Sequence, residues 1–156
     1  SATFTISPNY GYEIDYLLDD GNKLPAVNVY TVRDIIENDT FEVFFKKDSI
    51  VWPLINITWK LDTIFFKGKD DIVWYYTRQN FTDSFYPDGK IVNVYDGRTT
   101  VSKYYLDKSN LIIKVNTITY KIESLTEKRM VLSWMMGVEK NWASYSNGGY
   151  KDLSGY

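Results

Sequence analysis

The sequence predicts an all-β fold, a single antiparallel up-and-down β-barrel with additional strands at its N-terminal side. Three observations predict it. About ten short runs alternate apolar and polar residues with the period of two expected of strands that bury one face. Compact turn signals separate them, among them Asp19-Asp20-Gly21-Asn22, Pro87-Asp88-Gly89-Lys90 and Asp96-Gly97-Arg98. The composition is rich in β-favouring aromatics, with 14 Tyr, 8 Phe and 5 Trp. Consecutive hairpins over 56–136 suit a meander, and closing it into a barrel removes the exposed edges that so aromatic a chain would otherwise present.

Taken in order, Thr3–Ser7 reads as a short strand ended by Pro8 and Asn9. Tyr12–Leu18 alternates, with Tyr12, Ile14, Tyr16 and Leu18 expected on one face. Leu24–Val32 is apolar and β-branched, and Pro25 marks it as an edge or a strand start. Val32–Asp39 has the only helical pattern before the C-terminal region and is too short to stand as a helix alone. Thr40–Lys46 alternates again, Ile50–Trp52 reads as a strand stopped by Pro53, and Asn56–Phe66 carries Ile57, Trp59 and Leu61 on one face. A turn is expected at Lys67–Asp71, and Ile72–Arg78 places Ile72, Trp74 and Tyr76 together. Ile91–Tyr95, Val101–Leu106 and Leu111–Val115 follow as strands. The clearest hairpin comes next, with Ile118, Tyr120 and Ile122 facing Met130, Leu132, Trp134 and Met136. Residues 1–140 are therefore expected to form one barrel domain, with 1–55 supplying N-terminal strands that either join the barrel sheet or stand apart. Residues 141–156, rich in Gly, Ser, Asn and Tyr, are expected to be an irregular C-terminal tail.

The formal net charge of −2 and the lack of any basic stripe give no case for a nucleic-acid partner. With no Cys and no His, thiol nucleophiles, disulfides, Cys/His zinc sites and Ser-His-Asp triads are excluded. No stretch approaches the roughly 18 apolar residues of a spanning helix, so no transmembrane segment is expected. The acidic clusters Asp19-Asp20, Asp70-Asp71 and Glu37 with Asp39 read as solvated turns, since neighbouring carboxylates in a turn point apart and do not face each other across a cleft. No catalytic residue, metal or cofactor is expected.

Three features of 56–136 occur in a set order. Trp59-Lys60-Leu61 opens it, Phe85-Tyr86-Pro87-Asp88-Gly89 forms a midway turn, and Tyr120-Lys121-Ile122-Glu123-Ser124-Leu125-Thr126 with Val131-Leu132 closes it. This order resembles the lipocalin-like domains of secreted and surface-anchored proteins of Bacteroidetes, over about half of the chain. The departure is at the front, where residues 1–55 precede the Trp59 strand. The resemblance implies a secreted, periplasmic or outer-surface lipoprotein, with a lipidated Cys upstream of Ser1.

Two binding sites follow. One is the barrel interior, where Trp59, Trp74, Tyr76, Tyr105, Tyr120 and Trp134 fall on faces read as inward and would meet a small apolar ligand. The competing reading is a packed core, and the large size of these residues favours a filled barrel. The other is an exposed N-terminal segment, Ser1, Ala2, Thr3 and Phe4, or a rim loop, offered to a secreted protein partner by strand addition. The expected function is therefore non-catalytic binding by a monomer, with a proteinaceous peptidase inhibitor as the alternative.

Overall fold

The computed structural model describes residues 1–35, 38–67, 73–77 and 80–156, and only the backbone of 73–76. The turn expected at Lys67–Asp71 lies mostly outside the described residues, as do Glu37, Asp70 and Asp71. The protein is all-β and divides into two units, 1–48 and 49–156. The sequence left open whether residues 1–55 join the barrel sheet; the strands of 1–48 pair only among themselves.

The first unit holds β1 (Ala2–Thr5), β2 (Tyr12–Asp19), β3 (Asn22–Leu24), β4 (Val29–Val32) and β5 (Phe41–Lys47). β1 pairs with β4, and β2 lies between β3 and β5, so these strands form two small sheets of their own. Ile6, Ile14 and Leu17 are buried against Leu24, Val27, Tyr30, Phe41 and Val43. The face expected for β2 changes partway, because the register with β5 shifts between Ile14 and Tyr16. A bulge there inserts one residue and moves Leu17, not Leu18, into the core. Tyr16 then stacks on Phe44 at 4.5 Å. The helical pattern at 32–39 is not realised in the described part: Val32 ends β4, and 33–35 and 38–40 carry no regular structure.

The second unit begins with α1 (Val51–Asn56). The strand expected at Ile50–Trp52 is instead the first turn of this helix. Pro53 lies within that turn, where a backbone N–H has no helical acceptor, so it is tolerated. β6 (Ile57–Lys67), β7 (Val73–Tyr76), β8 (Phe81–Phe85), β9 (Lys90–Tyr95), β10 (Arg98–Asp107), β11 (Ile112–Val115), β12 (Ile118–Leu125), β13 (Arg129–Met136) and β14 (Glu139–Tyr150) follow. From β8 onward each strand pairs antiparallel with the next, β8 also pairs β6, and β14 returns to pair β6. The result is a closed eight-stranded barrel, with β7 added on the outer half of β6.

Of residues 141–156, expected to be an irregular tail, 141–150 belong to β14, the strand that closes the barrel. The Asn-, Ser- and Gly-rich composition hides a strand whose ladder bonds are made to two neighbours, β13 and β6. Gly148 sits where β14 crosses β6. A Cβ there would lie 3.0 Å from the Thr58 carbonyl and 3.3 Å from the Lys60 Cβ. The tight turns are those that the sequence signals. Asp96 and Gly97 join Tyr95 to Arg98 with φ of 45° and 76°, the two positive values of a hairpin turn that matches strand twist.

Strand direction defines two ends. At one end lie Ile57, Phe85, Lys90 and Tyr150, together with α1. Leu54 of the helix is fully buried with Ile57, Trp59, Phe85, Ile122 and Met130, and the Trp59 Nε1–H donates to the Leu54 carbonyl at 3.4 Å. This end is sealed. At the other end lie the Asp96-Gly97, Asn116-Thr117 and Gly137-Val138 turns.

Candidate functional site

Alternation carries one side chain in two to the barrel interior, and what stands at those positions differs between the halves. Near α1 they are large and apolar and leave no space. Toward the far end they include Thr100, Ser102, Asn116 and Ala143, and here the barrel is hollow. The cavity measures about 530 Å³ and opens among the far-end turns. A filled barrel was the expectation; the small inward residues that make it hollow lie on β10, β14 and a turn, outside the positions on which that expectation rested.

Two aromatic pairs stand across the cavity from each other. Phe81 and Tyr95, on β8 and β9, lie 6.1 Å apart between ring centres. Tyr120 and Trp134, on β12 and β13, meet edge to face at 5.4 Å. Leu61, Ile64, Ile91, Ile113 and Leu132 complete the apolar wall. Ile64 faces inward despite the odd spacing from Leu61 because the β6–β14 register shifts between them.

Below the aromatic pairs lies a polar group. Asp83 occupies the middle of β8, directly opposite Asn93 of β9, and is only 5% exposed. The Asn93 Nδ2–H donates to Asp83 Oδ1. The Tyr145 hydroxyl, from β14, donates to the same carboxylate. Burial raises the Asp83 pKa and the two donors pull it back, leaving it at about 6. Burial also raises Tyr145 well above the ordinary phenol value, and the Asp83 charge adds to this. Tyr120 moves the same way for the same two reasons. Asp83 is the only acid among the described residues lining the cavity, and Arg98, exposed at the mouth, the only base.

The structure sorts the residues expected to bind a ligand. Tyr120 and Trp134 line the cavity. Trp59 points inward but is fully buried in the sealed end and does not reach the cavity. Tyr105 is a correction: it faces outward and is 63% exposed, while its neighbour Tyr104 is buried and donates its hydroxyl to the Tyr86 carbonyl at 2.9 Å. Two adjacent tyrosines give alternation no means of choosing the phase. The side chains of Trp74 and Tyr76 lie outside the described residues. Of the N-terminal segment, Ser1 is exposed, and Ala2, Thr3 and Phe4 are already in β1, paired to β4, with Phe4 stacked on Phe41 at 5.1 Å. One edge of β1 is therefore in use within its own unit.

The Asp83–Asn93–Tyr145 group was missed by sequence reasoning, although a signal existed. Phe81, Asp83 and Phe85 share one strand face, so a carboxylate stands between two inward aromatics. On β9, Asn93 likewise stands as a polar residue between the inward Ile91 and Tyr95.

Among the described residues no helix is long and apolar enough to cross a membrane. No protein-family description, curated protein or solved structure matches this chain.

Proposed function

We propose that the protein is a non-catalytic binding protein that takes one small, mainly apolar ligand into the open half of its barrel. The observation that supports this is the cavity itself: about 530 Å³, walled by two opposed aromatic pairs, and with a few convergent polar groups at one level. Such a combination of volume, apolar wall and sparse fixed polar contacts is what small-molecule sites have. A lone carboxylate held by neutral donors supplies no second acid or nucleophile, which favours binding over catalysis. The sealed end fixes the floor, so the ligand enters and leaves among the far-end turns.

The test uses N-phenyl-1-naphthylamine, an uncharged probe whose emission rises in apolar surroundings. The wild-type protein is expected to bind one equivalent saturably. Ala143 is buried and lines the cavity, so Ala143→Phe fills it and is expected to weaken the probe at least tenfold. Equal affinity in the two proteins, or no saturation with the wild type, refutes the reading.

A further inference from the structure

Asp83 is the feature of the cavity that an apolar ligand leaves unexplained. An ionised carboxylate only accepts hydrogen bonds and has about four acceptor sites. Here two neutral donors, Asn93 and Tyr145, are aimed at it. No lysine or arginine among the described residues acts on it, and Arg98 lies at the mouth, away from the floor. Three side chains from β8, β9 and β14 thus hold a negative charge inside a low-dielectric chamber without a positive partner. Above it stand the faces and edges of Phe81, Tyr95, Tyr120 and Trp134, which attract cations as well as apolar groups. A buried charge is tolerated when a partner is provided, and the open space above Asp83 is where a partner fits.

We infer that the ligand is a small organic amine, bound ammonium-first, with its charged nitrogen on the Asp83 carboxylate and its apolar or aromatic body between the two aromatic pairs. This deepens the binding function proposed above and rests on it. Asn93 and Tyr145 are positioning residues: they hold the carboxylate from the neighbouring strand β9 and from the seam strand β14. The binding is pH-dependent. Asp83 titrates at about 6 in the empty protein, so protonation at lower pH removes the anchor. Among the described residues, the other titratable or charged groups facing the cavity are Tyr145 from β14, Tyr120 from β12, Tyr95 from β9 and Arg98 from β10, and none of them is a carboxylic acid that would replace it.

The experiment is competition against N-phenyl-1-naphthylamine by three compounds with one phenyl body: phenethylamine, 2-phenylethanol and phenylacetate. At pH 7.5 the amine is expected to compete at least tenfold more strongly than the alcohol, with the anion weakest. In Asp83→Asn the preference should fall below threefold. In the wild type at pH 5 the amine should weaken roughly tenfold, since one pH unit below the titration point leaves about a tenth of the anchor charged, while the alcohol is unchanged. The pH arm needs no variant and decides the matter if Asp83→Asn does not fold. Equal competition by amine and alcohol, or a preference that survives both Asp83→Asn and pH 5, overturns the amine assignment and leaves the binding function standing. A preference for phenylacetate overturns it in favour of an anion held by Arg98. Failure of the naphthylamine to bind removes both.

Discussion

Replacing Asp83 by asparagine tests the electrostatics of the barrel without any ligand. The folded protein holds the Asp83 proton to about pH 6, against 3.8 for the free side chain. A folded value above the unfolded one means that the folded state binds the proton more tightly. Stability therefore falls as pH rises through the window from about 4 to 6, then levels off. The full shift of about 2.2 units corresponds to about 3 kcal/mol, of which about 2 kcal/mol is lost between pH 4.5 and 7.5. The amide introduced by Asp83→Asn cannot ionise, so the stability of the variant relative to wild type should rise by about 2 kcal/mol over that interval. The amide brings its own pH-independent offset of about 1–3 kcal/mol, because its NH₂ group is a donor set among groups that donated to the carboxylate. That offset displaces the curve and does not tilt it. Urea unfolding followed by tryptophan emission is the assay, and every tryptophan (52, 59, 74, 134 and 142) lies in the second unit. The signal thus reports on the barrel alone. A difference that is flat with pH, or that declines as pH rises, refutes the assignment of Asp83 as a buried carboxylate with a raised pKa.

Other perturbations have equally definite outcomes. Tyr145→Phe removes a donor to Asp83 and should raise its titration point above 6, read by carboxyl ¹³C shifts, with no change in far-UV circular dichroism. Gly148→Ala forces a methyl group against the Thr58 carbonyl at the β14–β6 crossing and should cost about 1–3 kcal/mol in urea unfolding. Tyr104→Ala should cost about 3–5 kcal/mol, because Tyr104 is buried edge-on against Phe85 at 5.1 Å. Tyr105→Ser should change stability by less than about 0.5 kcal/mol and leave probe binding unaltered, as an outward residue does.

Where alternation ran unbroken, the sequence was sufficient. Ile57, Trp59 and Leu61, and Met130 with Leu132, are buried as their spacing predicts. The phase failed at bulges, which shift it by one residue without leaving a mark in the sequence. The shift between Ile14 and Tyr16 is such a case. It also failed at Tyr104-Tyr105, where both phases are aromatic. The Asn-, Ser- and Gly-rich composition of 141–150 masked β14, a strand that the structure pairs on both sides, with β13 and with β6. The cavity-lining residues were legible only in part. Tyr120 and Trp134 belong to the hairpin that alternation marks most clearly, whereas Asp83 and Tyr145 meet across 62 residues of chain, a proximity that only barrel closure creates.

The closing seam has a consequence for how the molecule is made. β6 is the first barrel strand to leave the ribosome and β14 the last, and their partners lie between 73 residues apart (67 and 140) and 93 apart (57 and 150). Until β14 arrives, β6 carries an unpaired edge, and the interior apolar face of the nascent meander has no opposite wall. The seam pairing is thus the step with the longest loop to close, and the one that most slows the final collapse. A chain halted before residue 139 would present an open sheet with a sticky edge, a species prone to pair with other copies of itself. A single polar, glycine-containing strand thus stands between an open sheet and the closed barrel.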